Sequence, residues 1–122
     1  MYAILHVSFI VADTEAALAF YRDVLGLSVN PQRPDLGYPG AWLDCGAQQI
    51  HLLELPNPDP VTGRPAHGGR DRHAAFAVEH LDALCASLEK ADVVFTRSKS
   101  GRQALFCRDP DGNALEFIET PA

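Results

Sequence analysis

Three histidines and one glutamate stand at places where the chain repeats itself. His6-Val-Ser-Phe-Ile-Val11 recurs as His73-Ala-Ala-Phe-Ala-Val78, and Ile50-His-Leu-Leu-Glu-Leu55 has a rough counterpart in Leu115-Glu-Phe-Ile-Glu-Thr120. Each half therefore opens on a histidine and closes on a second metal-capable side chain, His51 in the first half and Glu116 in the second. A single strand histidine or glutamate carries little information, because most are hydrogen-bonded or solvated. Neutral imidazoles and a carboxylate at matching places in two repeats suit a borderline divalent ion such as Zn, Ni, Co, Mn or Fe. His6, His51, His73 and Glu116 are the expected metal ligands.

The elements that must present these groups follow from residue periodicity. Residues 4 to 11 alternate as a strand, with Leu5, Val7, Phe9 and Val11 on one face and His6 and Ser8 on the other. Asp13 or Thr14 caps a helix in which Leu18, Tyr21, Val24 and Leu25 keep helical spacing, and Gly26 stops it. Strands are expected near 27–30, 40–45 and 48–55, the last two joined through Gly46 and Ala47. On the last of these His51 and Glu54 lie on opposite faces. His51 is preferred because Ile50 and Leu52 read as the core face and because the repeat sets His51 against Glu116.

The second half repeats the order, with a strand at 73–79, a helix near 81–91 and strands near 93–96, 103–108 and 113–119. Asp109-Pro-Asp-Gly112 is its clearest turn. His73 shares its face with the small residues Ala75 and Ala77, whereas Ala74, Phe76 and Val78 face the other way. Glu116 lies opposite the bulky Leu115 and Phe117, where a charge is costly unless paired or metal-bound.

The fold class expected is α+β: two βαβββ modules in tandem, about 1–55 and 73–122, within one 122-residue domain. The connecting loop 56–72 is rich in proline, glycine and arginine and longer than most connections. It reads either as a linker or as a lid bringing Arg64, His67, Arg70 or Arg72 over a substrate. Arg33, Arg64, Arg70 and Arg102 are candidate substrate-binding clamps, since a guanidinium grips carboxylate or phosphate through two parallel hydrogen bonds.

Ten basic against sixteen acidic residues give a formal charge of −6, which argues against nucleic acid or an anionic membrane as partner and for a small-molecule substrate. Cys45, Cys85 and Cys107 lack CxxC spacing and read as reduced, mostly buried thiols. No apolar run reaches the ~20 residues a membrane span needs, and the N-terminus has no secretory pattern, so the expected location is cytoplasmic.

Four segments together resemble the vicinal oxygen chelate superfamily: His6–Val11, Phe20-Tyr-Arg-Asp-Val-Leu-Gly-Leu27, His73–Val78 and Asp109-Pro-Asp-Gly-Asn-Ala-Leu-Glu116. That superfamily includes glyoxalase I, extradiol dioxygenases, methylmalonyl-CoA epimerase and the fosfomycin and bleomycin resistance proteins, and the resemblance spans nearly the whole chain. It implies a cup-shaped mixed sheet with helices outside, a metal held by His6, His51, His73 and Glu116, and a homodimer. It further implies glyoxalase-I-like lyase or isomerase chemistry, in which a metal chelates a small oxygenated substrate, an enediolate-type intermediate is stabilised and Glu116 serves as ligand and base. The chain departs from glyoxalase I at His51, where that enzyme usually has glutamate. The alternatives in the same superfamily are an extradiol-type Fe(II) dioxygenase with His51 outside the ligand set, and a non-catalytic small-molecule-binding protein.

Overall fold

The computed structural model, which describes residues 1–121, divides into two compact units, Met1–Asp59 and Pro60–Ala122. Each carries one four-stranded mixed sheet. In the first unit β1 (His6–Val11) runs parallel to β4 (Gln48–Glu54), and β3 (Gly40–Cys45) and β2 (Ser28–Asn30) follow antiparallel, giving the order β1-β4-β3-β2. In the second, β5 (His73–Val78) is parallel to β8 (Ala114–Glu119), followed by β7 (Ala104–Arg108) and β6 (Phe95–Arg97) in the order β5-β8-β7-β6. The tandem βαβββ organisation read from the repeat is thus present, with strand ends shifted by one or two residues.

The helix of the first module departs from the simple expectation. Only Thr14–Leu18 is α-helical (α1), and Ala19–Val24 continues as a π-helix whose wider turn closes through Leu25 N–H to Phe20 O at 3.0 Å. Ala17, Leu18, Phe20 and Tyr21 are all buried. These positions share one helical face, the side turned to the core. Gly26, at φ +79°, then ends the helix.

Strand alternation separates core from site. Val11, Ala41, Leu43, Ile50 and Leu52 are buried on one face of the first sheet, while His6, Trp42 and His51 stand on the other. The second sheet buries Leu105, Cys107, Leu115 and Phe117 on the equivalent face, and α2 (Leu81–Lys90) contributes buried Leu81, Cys85 and Leu88. Each such apolar side chain stabilises the fold by about 1.5–3 kcal/mol. The three cysteines are free, and burial pushes the Cys107 thiol up to about 12. No helix of the described residues is long and apolar enough to cross a membrane.

A carboxylate ties the end of each parallel pair to the helix that begins nearby. Glu54 Oε1 accepts from Thr14 N–H at 2.7 Å, and its counterpart Glu119 Oε1 accepts from Leu81 N–H at 3.1 Å. Both acids satisfy helix N-terminal donors and face the positive end of the helix dipole. Glu54, the competing carboxylate on the His51 strand, is therefore a helix cap. Asp13 is the local cap of α1, accepting from Ala16 N–H at 3.1 Å.

The segment before β5 packs onto its own unit. A short 3₁₀ turn, Gly68–Arg70, lies against β7 and β8, so close that a Cβ on Gly68 would stand 3.2 Å from the Ala114 Cβ and 3.4 Å from the Phe106 Cβ. Arg64 clasps Asp71 through Nε and Nη2 at 2.7 and 2.8 Å; Arg108 Nη1 reaches Asp71 Oδ2 at 2.8 Å and Gly112 O at 2.7 Å. The Arg64 guanidinium, helped by Arg108, holds the Asp71 carboxyl far below the usual carboxylate range.

A folded-state pKa lowered in this way contributes stability that is present above the ordinary value of 3.8 and is lost as pH falls below it. Hydrogen exchange at the Arg70 and Asp71 amides, which are bonded to His67 O and Gly68 O, reads this contribution locally. At pH 7 Asp71→Asn is expected to exchange there roughly tenfold faster or more, as expected for the loss of hydrogen bonds between charged groups. The difference is expected to start shrinking as pH falls below about 4 and to vanish only as pH approaches the lowered folded-state value.

Candidate metal centre

In the first unit, His6 and His51 come together on one face. The register of β1 with β4 pairs His6 with Gln49 and Ser8 with His51, so the two imidazoles lie diagonally across adjacent strands, with centroids 3.9 Å apart and planes 14° from parallel. Trp42, directly opposite His51 on β3, covers the other side of the His51 ring at 4.3 Å and 5°. His51 Nε2 lies 2.8 Å from Gln49 Oε1. Desolvation, then the neighbouring His6 and Arg33, lower the His51 pKa, favouring the neutral ring that can act as a metal ligand.

In the second unit, His73 and Glu116 face each other, His73 Nε2 standing 3.4 Å from Glu116 Oε1. A turn positions the strand bearing Glu116: Asp109 Oδ1 accepts from the Asp111 and Asn113 amides at 2.9 Å each, and Gly112 N–H closes onto Asp109 O at 3.0 Å. His73 is oriented from behind, because its Nδ1 lies 2.8 Å from Asp71 O. A carbonyl only accepts, so Nδ1 carries a proton, and Nε2 is the nitrogen turned toward Glu116. It faces a carboxylate whose side chain is only 4% exposed.

A ring nitrogen and a carboxylate oxygen at this separation can share a proton or a cation. Neighbouring donors on one ion with bonds of about 2.1 Å stand roughly 3.0–3.4 Å apart, so the His73–Glu116 spacing fits two ligands of a common ion. The other carboxylate oxygen, Oε2, accepts from Arg102 Nη2 at 3.1 Å. Phe106, the cross-strand neighbour of Glu116, presents its ring to both His67 and His73, with centroids 4.8 and 5.1 Å away. His67 Nδ1 is 2.7 Å from Thr96 Oγ1.

The four candidate ligands thus fall into two pairs, one in each unit. Among the described residues, no three His, Cys, Asp or Glu side chains form one group. The four arginines occupy different settings. Arg33 donates to Tyr38 O at 2.9 Å and lies over the Tyr38 ring, Arg64 is engaged by Asp71, Arg70 is exposed on the 3₁₀ turn, and Arg102 holds Glu116.

Sequence reading gave no role to Trp42. The signal was nevertheless present, because the tight turn at Gly46-Ala47 fixes the hairpin register and makes Trp42 the partner of His51. The same counting about the Asp109–Gly112 turn pairs Phe106 with Glu116.

A family model described as the Glyoxalase/Bleomycin resistance protein/Dioxygenase superfamily matches residues 3–117. The chain is 32% identical to "Glyoxylase I 4" of Arabidopsis thaliana over 118 residues, covering 92% of this chain and 67% of that protein. It is 31% identical to the lactoylglutathione lyase of Haemophilus influenzae, covering 95% of this chain and 91% of that one. A crystal structure from Bacillus anthracis assigned to the glyoxalase family superposes with a TM-score of 0.81 at 27% identity, covering 98% of this chain and 96% of that chain.

The Trp42–His51 stack is measurable by a double-mutant cycle under urea denaturation. Trp42→Ala and His51→Ala are expected to show a coupling of about 0.5–1.5 kcal/mol, the size of aromatic pair interactions. Strictly additive effects would show that the two rings do not support each other.

Proposed function

The chain belongs to the glyoxalase/bleomycin resistance protein/dioxygenase superfamily, and from that premise we propose that it is a divalent-metal-dependent, glyoxalase-I-like lyase or isomerase acting on a small oxygenated substrate. The reading rests on one observation above the others: an imidazole nitrogen, its ring oriented by a backbone carbonyl, facing a buried carboxylate at ligand spacing. His6, His51, His73 and Glu116 would hold the ion, with one pair from each kind of unit. We further propose that the chain works as a homodimer.

The donor set suits Zn, Ni, Co, Mn or Fe, and four protein ligands on a six-coordinate ion leave two places for neighbouring substrate oxygens. When bound, the ion supplies Lewis-acid polarisation of those oxygens and stabilises the negative charge that develops on them. The protein's own part is positioning and proton transfer. Asp71 O keeps His73 in one tautomer, Trp42 holds the His51 ring flat, and Glu116 takes the substrate proton on a carboxylate oxygen. With His51 in place of a second carboxylate, Glu116 is the sole ligand able to act as that base.

Titration of the metal-stripped protein with Co(II), Ni(II) and Zn(II) tests the ligand set. His73→Ala and Glu116→Gln are each expected to weaken binding by more than the roughly 10- to 100-fold typical of losing an outer-shell partner. The loaded wild type is expected to isomerise the hemithioacetal of methylglyoxal and a thiol, and to sediment as a dimer. Absence of stoichiometric metal, with small-molecule binding unchanged in His73→Ala, would instead mark a non-catalytic binding protein. Ring cleavage of catechols that requires Fe(II) would mark a dioxygenase.

A further inference from the structure

We propose that Arg102 is an exchangeable counter-cation for Glu116, occupying the carboxylate while no metal is bound and giving way when a divalent ion arrives. This rests on the metal reading above and adds to it a residue that sets metal affinity.

The two partners are unequally fixed. The Glu116 side chain is 4% exposed on β8, within a hydrogen-bonded sheet, whereas that of Arg102 is 56% exposed on the irregular segment between β6 and β7. Arg102 is further steadied by Ser100, whose Oγ accepts from Arg102 Nε at 3.1 Å, and Ser100 belongs to the same exposed segment. Gly101, at φ +85°, bends the chain beside it. The carboxylate is therefore a fixed receptor and the guanidinium a mobile one.

Electrostatics supply both the need and the competition. A carboxylate this buried requires a cation, and within this unit Arg102 Nη2 supplies one to Oε2 while Oε1 faces His73. A divalent ion bound through Oε1 satisfies the same charge and repels the guanidinium, so ion and arginine are alternative partners of one group. Displacement leaves Oε2 without its donor. The released guanidinium borders an open cavity of about 590 Å³, also lined by Gln103, His80, Ile118 and Thr120, with space for it to turn into.

Isothermal titration of Co(II) into the full-length wild type, Arg102→Ala and Arg102→Gln tests this without an activity assay. Removing the competitor is expected to tighten Co(II) binding by about tenfold in both variants, as for loss of one charge-assisted hydrogen bond. In the wild type, the Arg102 Nε–H resonance is expected to shift on addition of diamagnetic Zn(II), with the same midpoint as Zn(II) binding. Weaker Co(II) binding in both variants would overturn the proposal by showing that Arg102 positions Glu116 for the metal, and an unmoved resonance would overturn it by showing that the pair persists. If even the wild type binds no Co(II), the metal reading fails first, and this inference fails with it. If Arg102→Ala does not fold, Arg102→Gln and the wild-type resonance decide.

Discussion

The arrangement of the second unit depends on the close approach of His73 Nε2 to Glu116 Oε1, 3.4 Å apart. Left alone, they would move apart or share a proton. They are held by groups with no direct part in chemistry: Asp71 O fixes the histidine tautomer, and the Asp109 turn fixes the strand that carries the glutamate. Asp71 acts twice, since its carboxylate gathers Arg64 and Arg108 while its carbonyl aims His73. The loop preceding β5 and the imidazole ending that loop are consequently parts of one electrostatic assembly.

The first unit solves an equivalent problem by other means. His6 and His51 carry no opposite charge to hold them, so stacking does that work, with Trp42 closing the row. Trp42 and Phe106 occupy corresponding sheet positions, each directly opposite a candidate ligand of the neighbouring strand. The two halves share the scaffold, the aromatic neighbour and the helix-capping glutamates Glu54 and Glu119, while the candidate ligand differs as histidine in one half and glutamate in the other.

Much of this was legible in the chain, for identifiable reasons. Period-two alternation and the internal repeat located all eight strands and put His51 on the face opposite Ile50 and Leu52, because burial and strand pleat leave few other registers. Local rules missed what depends on tertiary contact. The π-helix at Ala19–Val24 buries Phe20 and Tyr21, and nothing in helical spacing distinguishes it from a regular turn. Arg64 and Arg102 were equivalent as sequence features; only packing shows one binding a loop carboxylate and the other the candidate ligand Glu116. Nothing local in residues 56–72 signalled that Gly68 packs against Ala114 and Phe106.

The most direct measurement of the account is anomalous diffraction from crystals grown with Co(II). The account predicts a single strong anomalous peak within about 2.3 Å of both His73 Nε2 and Glu116 Oε1, with imidazoles of a His6–His51 pair completing the shell. A map with no peak between these atoms at saturating Co(II), and His73 still paired directly with Glu116, would contradict it.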